Sequence, residues 1–170
     1  DIPARLAELA AHLKEETKRL GLPMPRFLME PGRSIVADAG MTLYTVGSVK
    51  RIPGYKQYAA VDGGMTDNPR YALYQSRYTV YHAHKSGSME RFDVVGRCCE
   101  SGDIIQPGVE LPGDTCRGDI LAVCTTGAYN YSMASNYNRL PRPAVVMLTP
   151  DRIYEAVRRE TFADLTALDL

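Results

Sequence analysis

The chain has 170 residues, 45% of them apolar, with 20 Lys and Arg against 20 Asp and Glu. That is enough for one well-cored domain, and a net charge of zero excludes the basic footprint of a nucleic-acid binder. No apolar run reaches the roughly 18 residues of a membrane helix and no signal-peptide pattern is legible, so the expectation is a soluble, cytoplasmic protein with no membrane partner.

In chain order, Asp1 is placed to cap a helix with Pro3 in its first turn. Leu6, Leu9, Ala10, Leu13, Thr17 and Leu20 follow at helical spacing until Gly21 stops it. After the stiff connector Leu22-Pro23-Met24-Pro25, the unbroken apolar run Phe27-Leu28-Met29 reads as a short strand buried on both faces. Helix, loop and buried strand form the closing unit of a βα array. A single unit cannot bury its own faces, so the expectation is that the chain begins inside a larger domain.

From Met41 the pattern turns to period two, and residues 42–51, 57–61, 78–84, 91–95, 120–126, 144–149 and 152–157 read as strands. This predicts a mainly β domain, an antiparallel β-sandwich or Greek-key barrel, with helical turns only at 35–39 and 162–168. His82 and His84 share one strand face in this reading. Cys98, Cys99, Cys116 and Cys124 lack zinc or disulfide spacing, so free thiols and no metal site are expected.

Four stretches carry chemistry. Glu30-Pro31-Gly32-Arg33-Ser34 ends the first apolar strand, where a glycine admits a close ligand and a guanidinium offers a planar fork for phosphate or carboxylate. An ordinary turn with a solvated Arg would read the same way. In the loop after Val61-Asp62-Gly63-Gly64, Arg70 and Tyr74 lie four apart, and a helical turn there would bring guanidinium and phenol to one face. Tyrosines at 71, 74, 78 and 81 can equally be packing. Cys98-Cys99-Glu100-Ser101-Gly102-Asp103 sets thiols beside acids, suited to moving a proton or holding a cation, although free cysteines are often simply buried. Residues 125–139 are dense in hydroxyl and amide donors, which bind polar ligands or satisfy their own backbone.

Taken together, Glu30-Pro31-Gly32-Arg33, Asn68-Pro69-Arg70-Tyr71-Ala72-Leu73-Tyr74, Cys99-Glu100-Ser101-Gly102-Asp103 and Gly127-Ala128-Tyr129 resemble the diaminopimelate decarboxylases, a family of fold type III pyridoxal phosphate enzymes. The resemblance spans essentially the whole chain. It implies that residues 1–33 are the last helix and strand of a truncated N-terminal (β/α)8 cofactor-binding barrel and that 34–170 form the C-terminal β domain. It further implies pyridoxal 5'-phosphate as cofactor, with Glu30 facing the pyridine nitrogen and Gly32, Arg33 and Tyr129 meeting the phosphate. Arg33 and Tyr129 would also reach substrate. Arg70 and Tyr74 would read the distal carboxylate of meso-2,6-diaminopimelate, Glu100 would hold its distal ammonium, and Cys99 would be the catalytic acid. In that family Cys99 and Glu100 serve the other subunit of a homodimer with shared active sites.

The resemblance places the cofactor lysine and the main phosphate loop upstream of Asp1. Lysines at 14, 18, 50, 56 and 85 have no desolvated pocket legible in sequence. These residues alone are therefore expected neither to bind the cofactor covalently nor to decarboxylate. Ornithine and arginine decarboxylases share the Glu-Pro-Gly-Arg stretch but usually carry Asp beside the cysteine. A free-standing β-barrel binding module is the alternative outside enzymes, and a cysteine hydrolase lacks a histidine to pair with Cys99.

Overall fold

The computed structural model describes residues 2–170, and they divide into two compact units, one ending at Pro31 and the other running from Gly32 to Leu170. The first unit is helix α1 (Ile2–Arg19), ended as its sequence predicts. Gly21 takes a left-handed φ of 65°, and the Leu22 N–H reaches back to the Thr17 carbonyl at 2.9 Å. The expected cap at Asp1 lies outside the described residues. Residues 22–32 form no strand, and Leu28 is 74% exposed. The strand expected at Phe27-Leu28-Met29 is thus not formed, because a buried parallel strand needs ladder partners on both sides and no described segment pairs with this one.

The second unit opens with helix α2 (Arg33–Val36) and a 3₁₀ turn (Ala37–Ala39). It continues through β1 (Met41–Ile52), β2 (Lys56–Val61), helix α3 (Arg70–Tyr74), β3 (Val80–His82), β4 (Met89–Val95), β5 (Ile104–Pro112) and β6 (Ile120–Cys124). Six of these strands form one sheet in the order β3-β6-β1-β2-β4-β5. The sheet curls almost into a barrel: the Tyr78 N–H, just ahead of β3, donates to Gln106 Oε1 on β5 at 2.8 Å, joining the two outer strands. Inside lies a single apolar cluster in which Phe92, Ile105, Leu111, Leu121, Val94 and Val123 are fully buried. Phe92→Ala should cost about 3–5 kcal/mol, and a urea titration would read this as a large drop in midpoint.

Three details depart from the expected pattern. β2 and β4 pair in parallel, so the sheet is mixed rather than antiparallel. β5 was masked by its Pro107-Gly108 step, which the fold absorbs as a bulge. Gly108 takes φ +65° there, and its N–H is satisfied by Asp93 Oδ1 at 2.8 Å. His84 lies beyond β3, and its N–H, with that of Lys85, donates to His82 Nδ1, so the two histidines do not share a strand face.

The chain ends in a separate hairpin, β7 (Val145–Leu148) and β8 (Ile153–Val157), and helix α4 (Phe162–Thr166). Ahead of α4, Glu160 ties this segment to the loop before β7. It accepts from the Arg142 N–H at 2.8 Å, from Arg142 Nε at 2.7 Å and from Asn136 Nδ2 at 2.6 Å. These contacts, the Arg142 guanidinium first, hold its carboxyl down to about 2. A depressed carboxylate stabilises the fold fully above its ordinary pKa and loses that contribution as pH falls through the folded value. Acidification from pH 5 toward 2 should therefore loosen the 136–160 tether, read by the Arg142 amide resonance, and Glu160→Gln should abolish that transition. No described helix is long and apolar enough to cross a membrane.

Candidate active site

The end of β6 is pressed against α2 and the turn after it. The Gly127 N–H donates to the Ala37 carbonyl and the Thr126 N–H to that of Gly40, both at 2.9 Å, while the Thr42 hydroxyl donates to the Thr126 hydroxyl, also at 2.9 Å. Gly127 is obligatory, since a Cβ would run into the Val36 carbonyl. This anchoring holds Thr125 and Tyr129 at φ values of 62° and 65°. Each left-handed non-glycine residue costs roughly 1–2 kcal/mol, and such strain collects where a side chain must be aimed. Tyr129 is aimed at Gly32: a Cβ on Gly32 would lie 2.7 Å from the Tyr129 hydroxyl, so the glycine makes room for it.

Two guanidiniums flank this tyrosine region. Arg33, the first residue of α2, stacks 5.3 Å from the Tyr78 ring centroid and makes only long contacts, 3.5 Å each, to the Tyr78 hydroxyl and the Thr125 carbonyl. The Tyr78 hydroxyl in turn donates to Asn130 Oδ1 at 3.3 Å. Arg70, at the start of α3, lies 4.6 Å from the Tyr74 ring and 5.4 Å from that of Tyr129. The helical turn thus puts Arg70 and Tyr74 on one face.

Neither arginine is ion-paired among the described residues. Arg70 Nε, Asn68 Nδ2 and Asn130 Nδ2 are also buried with no hydrogen-bond partner. A buried donor left unsatisfied costs about 1–3 kcal/mol, so Arg70 Nε beside the Tyr129 ring and Asn130 Nδ2 next to it in sequence mark a place suited to anionic oxygens.

The cysteine-bearing turn lies between β4 and β5. Cys98 is half-buried and Cys99 exposed. Burial and the Asp103 carboxylate beside it push the Cys98 thiol up to about 11, which leaves it protonated and unreactive. Glu100 is exposed and its carboxyl is held below the usual range, by the Gly102 N–H first and then by the Ser101 hydroxyl, with the Tyr137 hydroxyl also contributing. It is therefore anionic at neutral pH and free to face a cation. No hydrogen bond or ion pair joins Cys99 or Glu100 to Arg33, Arg70, Tyr74 or Tyr129 among the described residues.

Gly32, Arg33, Arg70, Tyr74 and Tyr129 thus come together, Cys99 and Glu100 occupy a separate turn, and Glu30 is exposed in the first unit. Sequence reasoning missed Tyr78 and Asn130, which carry Arg33 from below. The signal available was the donor-rich stretch 125–139, in which Asn130 already lay. Lys56 and Lys85 are paired with Asp93 and Asp119 at 2.6 and 2.7 Å, which raises their pKa values, the reverse of what an amine nucleophile needs.

Residues 33–127 match the family model described as pyridoxal-dependent decarboxylase, C-terminal sheet domain. The chain belongs to that family. A diaminopimelate decarboxylase of Bacillus subtilis is 51% identical over 93% of this chain, a span that is 36% of the relative. The diaminopimelate decarboxylase of M. jannaschii, solved in co-complex with L-lysine, superposes with a TM-score of 0.80 at 35% identity over 92% of this chain and 36% of its own. A lysine/ornithine decarboxylase from Vibrio vulnificus, complexed with cadaverine, gives a TM-score of 0.58 and 27% identity over 69% of this chain and 32% of its own. The chain therefore spans a little over a third of the relatives it matches. The match to this pyridoxal-dependent decarboxylase family takes in Arg33 and Arg70 and ends two residues before Tyr129.

Proposed function

We propose that the chain is the substrate-gripping and proton-returning part of a pyridoxal phosphate-dependent diaminopimelate decarboxylase, which converts meso-2,6-diaminopimelate to L-lysine and carbon dioxide. The observation that carries this reading is the pair of guanidiniums without a carboxylate partner among the described residues, Arg33 over the Tyr78 ring and Arg70 over that of Tyr129, with Arg70 Nε and Asn130 Nδ2 buried and unpartnered.

The residues present fit the cofactor's phosphate, because Gly32 lets the Tyr129 hydroxyl come close to the start of α2 and Arg33 has no carboxylate of its own among the described residues. Bound pyridoxal phosphate would supply the electron sink that accepts the electron pair left when carbon dioxide departs. Glu30 is assigned to the protonated pyridine nitrogen, and Arg33 with Tyr129 to the phosphate and the near end of substrate. Arg70 and Tyr74 grip the distal carboxylate through a planar fork and a phenol. Glu100, already anionic, receives the distal ammonium. Cys99 delivers the proton that replaces carbon dioxide at the α-carbon, while Cys98 stays a protonated bystander.

By the family resemblance, and because no hydrogen bond or ion pair joins Cys99 or Glu100 to the arginine cluster among the described residues, we assign them to the site of a second copy in a cytoplasmic homodimer, an isologous arrangement in which each copy gives and receives. Carbon dioxide release by the cofactor-loaded enzyme should favour meso-diaminopimelate over L-ornithine and L-arginine by about 100-fold or more, since a site built for a distal carboxylate is left with unpaired donors by substrates that lack it. Comparable turnover of ornithine would contradict the assignment.

A further inference from the structure

We infer that Asp103 is a positioning residue that sets the Cys99–Glu100 turn against the loop carrying Arg70, an inference that rests on the function proposed above. Asp103 is buried, with 4% of its surface exposed, and no cation pairs with it among the described residues. Its carboxylate is shared between two loops instead. Oδ1 accepts the Met65 N–H at 2.6 Å, in the loop that leads to Arg70, and Oδ2 accepts the Cys98 N–H at 2.6 Å, next to Cys99.

Glycines make this approach possible on both sides. A Cβ on Gly64 would lie 2.6 Å from Oδ1, and one on Gly96 would strike the same carboxylate. The cysteine turn is closed around Asp103 by its own backbone, since its N–H donates to the Glu100 carbonyl at 3.1 Å and its carbonyl accepts from the Gly96 N–H at 2.9 Å. One direct bond, Arg97 N–H to the Gly63 carbonyl at 3.1 Å, runs beside the clamp.

From Met65 the path to Arg70 is equally fixed. The Asp67 and Asn68 N–H groups both return to the Gly64 carbonyl, and Asn68 Oδ1 accepts the Arg70 N–H at 3.4 Å. Asp67 differs from Asp103 in accepting from no group of the cysteine turn: it takes the Gly64 N–H at 2.9 Å within its own loop and the Tyr44 hydroxyl from β1. Among the described residues, Asp103 is the carboxylate that accepts backbone N–H groups from both the loop leading to the distal-carboxylate grip and the turn bearing the proton donor.

The difference between the two aspartates supplies the test. In the holoenzyme, Asp103→Asn should raise KM for meso-diaminopimelate and lower kcat, each by about fivefold or more, because its amide turns a donor toward one of the two N–H groups. Asp67→Asn should move KM alone. Gly64→Ala, placed in the Arg70 loop, should lower kcat through the clamp and shift the Cys98 amide resonance of enzyme labelled with 15N-cysteine. This second readout needs no turnover, so failure of the wild-type enzyme to decarboxylate diaminopimelate would count against the proposed function alone. Asp103→Asn enzyme that folds and keeps both constants, or Gly64→Ala enzyme with kcat and the Cys98 resonance unmoved, would overturn the inference.

Discussion

Cys99→Ala in the cofactor-loaded enzyme is expected to lower kcat by about 10²–10⁴-fold, the usual worth of a positioned general acid, while Cys98→Ala leaves it within about threefold. The two thiols are neighbours in sequence, yet their surroundings separate them. Cys98 is half-buried against the Asp103 carboxylate, which together with burial pushes its thiol to about 11, whereas Cys99 is exposed on the outside of the turn. A proton donor must reach the reacting carbon and be reloaded from water afterwards, and only Cys99 can do both. Steady-state kinetics of the two variants checks this, and a larger loss in Cys98→Ala would reverse the assignment.

Arg70→Ala is expected to lower kcat/KM for meso-diaminopimelate by about 100-fold, equivalent to roughly 2.7 kcal/mol and within the range for a charge-assisted hydrogen-bonded contact. Residual activity on ornithine, which lacks the distal carboxylate, should barely change, so the ratio of the two substrates isolates the contact. Arg70→Lys should recover little, because an ammonium cannot reproduce a planar fork stacked 4.6 Å from the Tyr74 ring. The effect should fall on KM, since the distal carboxylate is gripped alike in the ground and transition states. Equal losses on both substrates would show that Arg70 supports the fold or the cofactor instead.

Much of the β domain was legible because its strands alternate. Residues 42–51, 57–61 and 120–126 each lie within a residue or two of an observed strand, since one face of each packs on the barrel core, and 152–157 matches β8 although that strand is exposed in the separate hairpin. β5 was not legible, because Pro107 and Gly108 signal a break and only the partner strand's Asp93 turns that break into a bulge. The parallel pairing of β2 with β4 was hidden too, as alternation fixes faces and not neighbours.

At the site, residue types were visible but their state of partnership was not. The sequence shows Arg33 and Arg70, but it does not show that both lack a carboxylate or that Tyr78 lies under one of them. A tyrosine in a left-handed conformation leaves no mark where glycine would. Hence Tyr129 came from resemblance, and its aim toward Gly32 came from the structure alone.

The central claim is that each chain brings the anion grip to its own site and the proton donor to its partner's. Mixing Arg70→Ala subunits with Cys99→Ala subunits tests it most directly. With sharing, one site of every mixed dimer inherits both substitutions and the other inherits neither, so at substrate well below the wild-type KM, where both parents are nearly inactive, activity should rise to about a quarter of wild type at equal mixing. If the mixture stays at the average of its parents after subunit exchange is verified, Cys99 acts within its own subunit and the account is wrong.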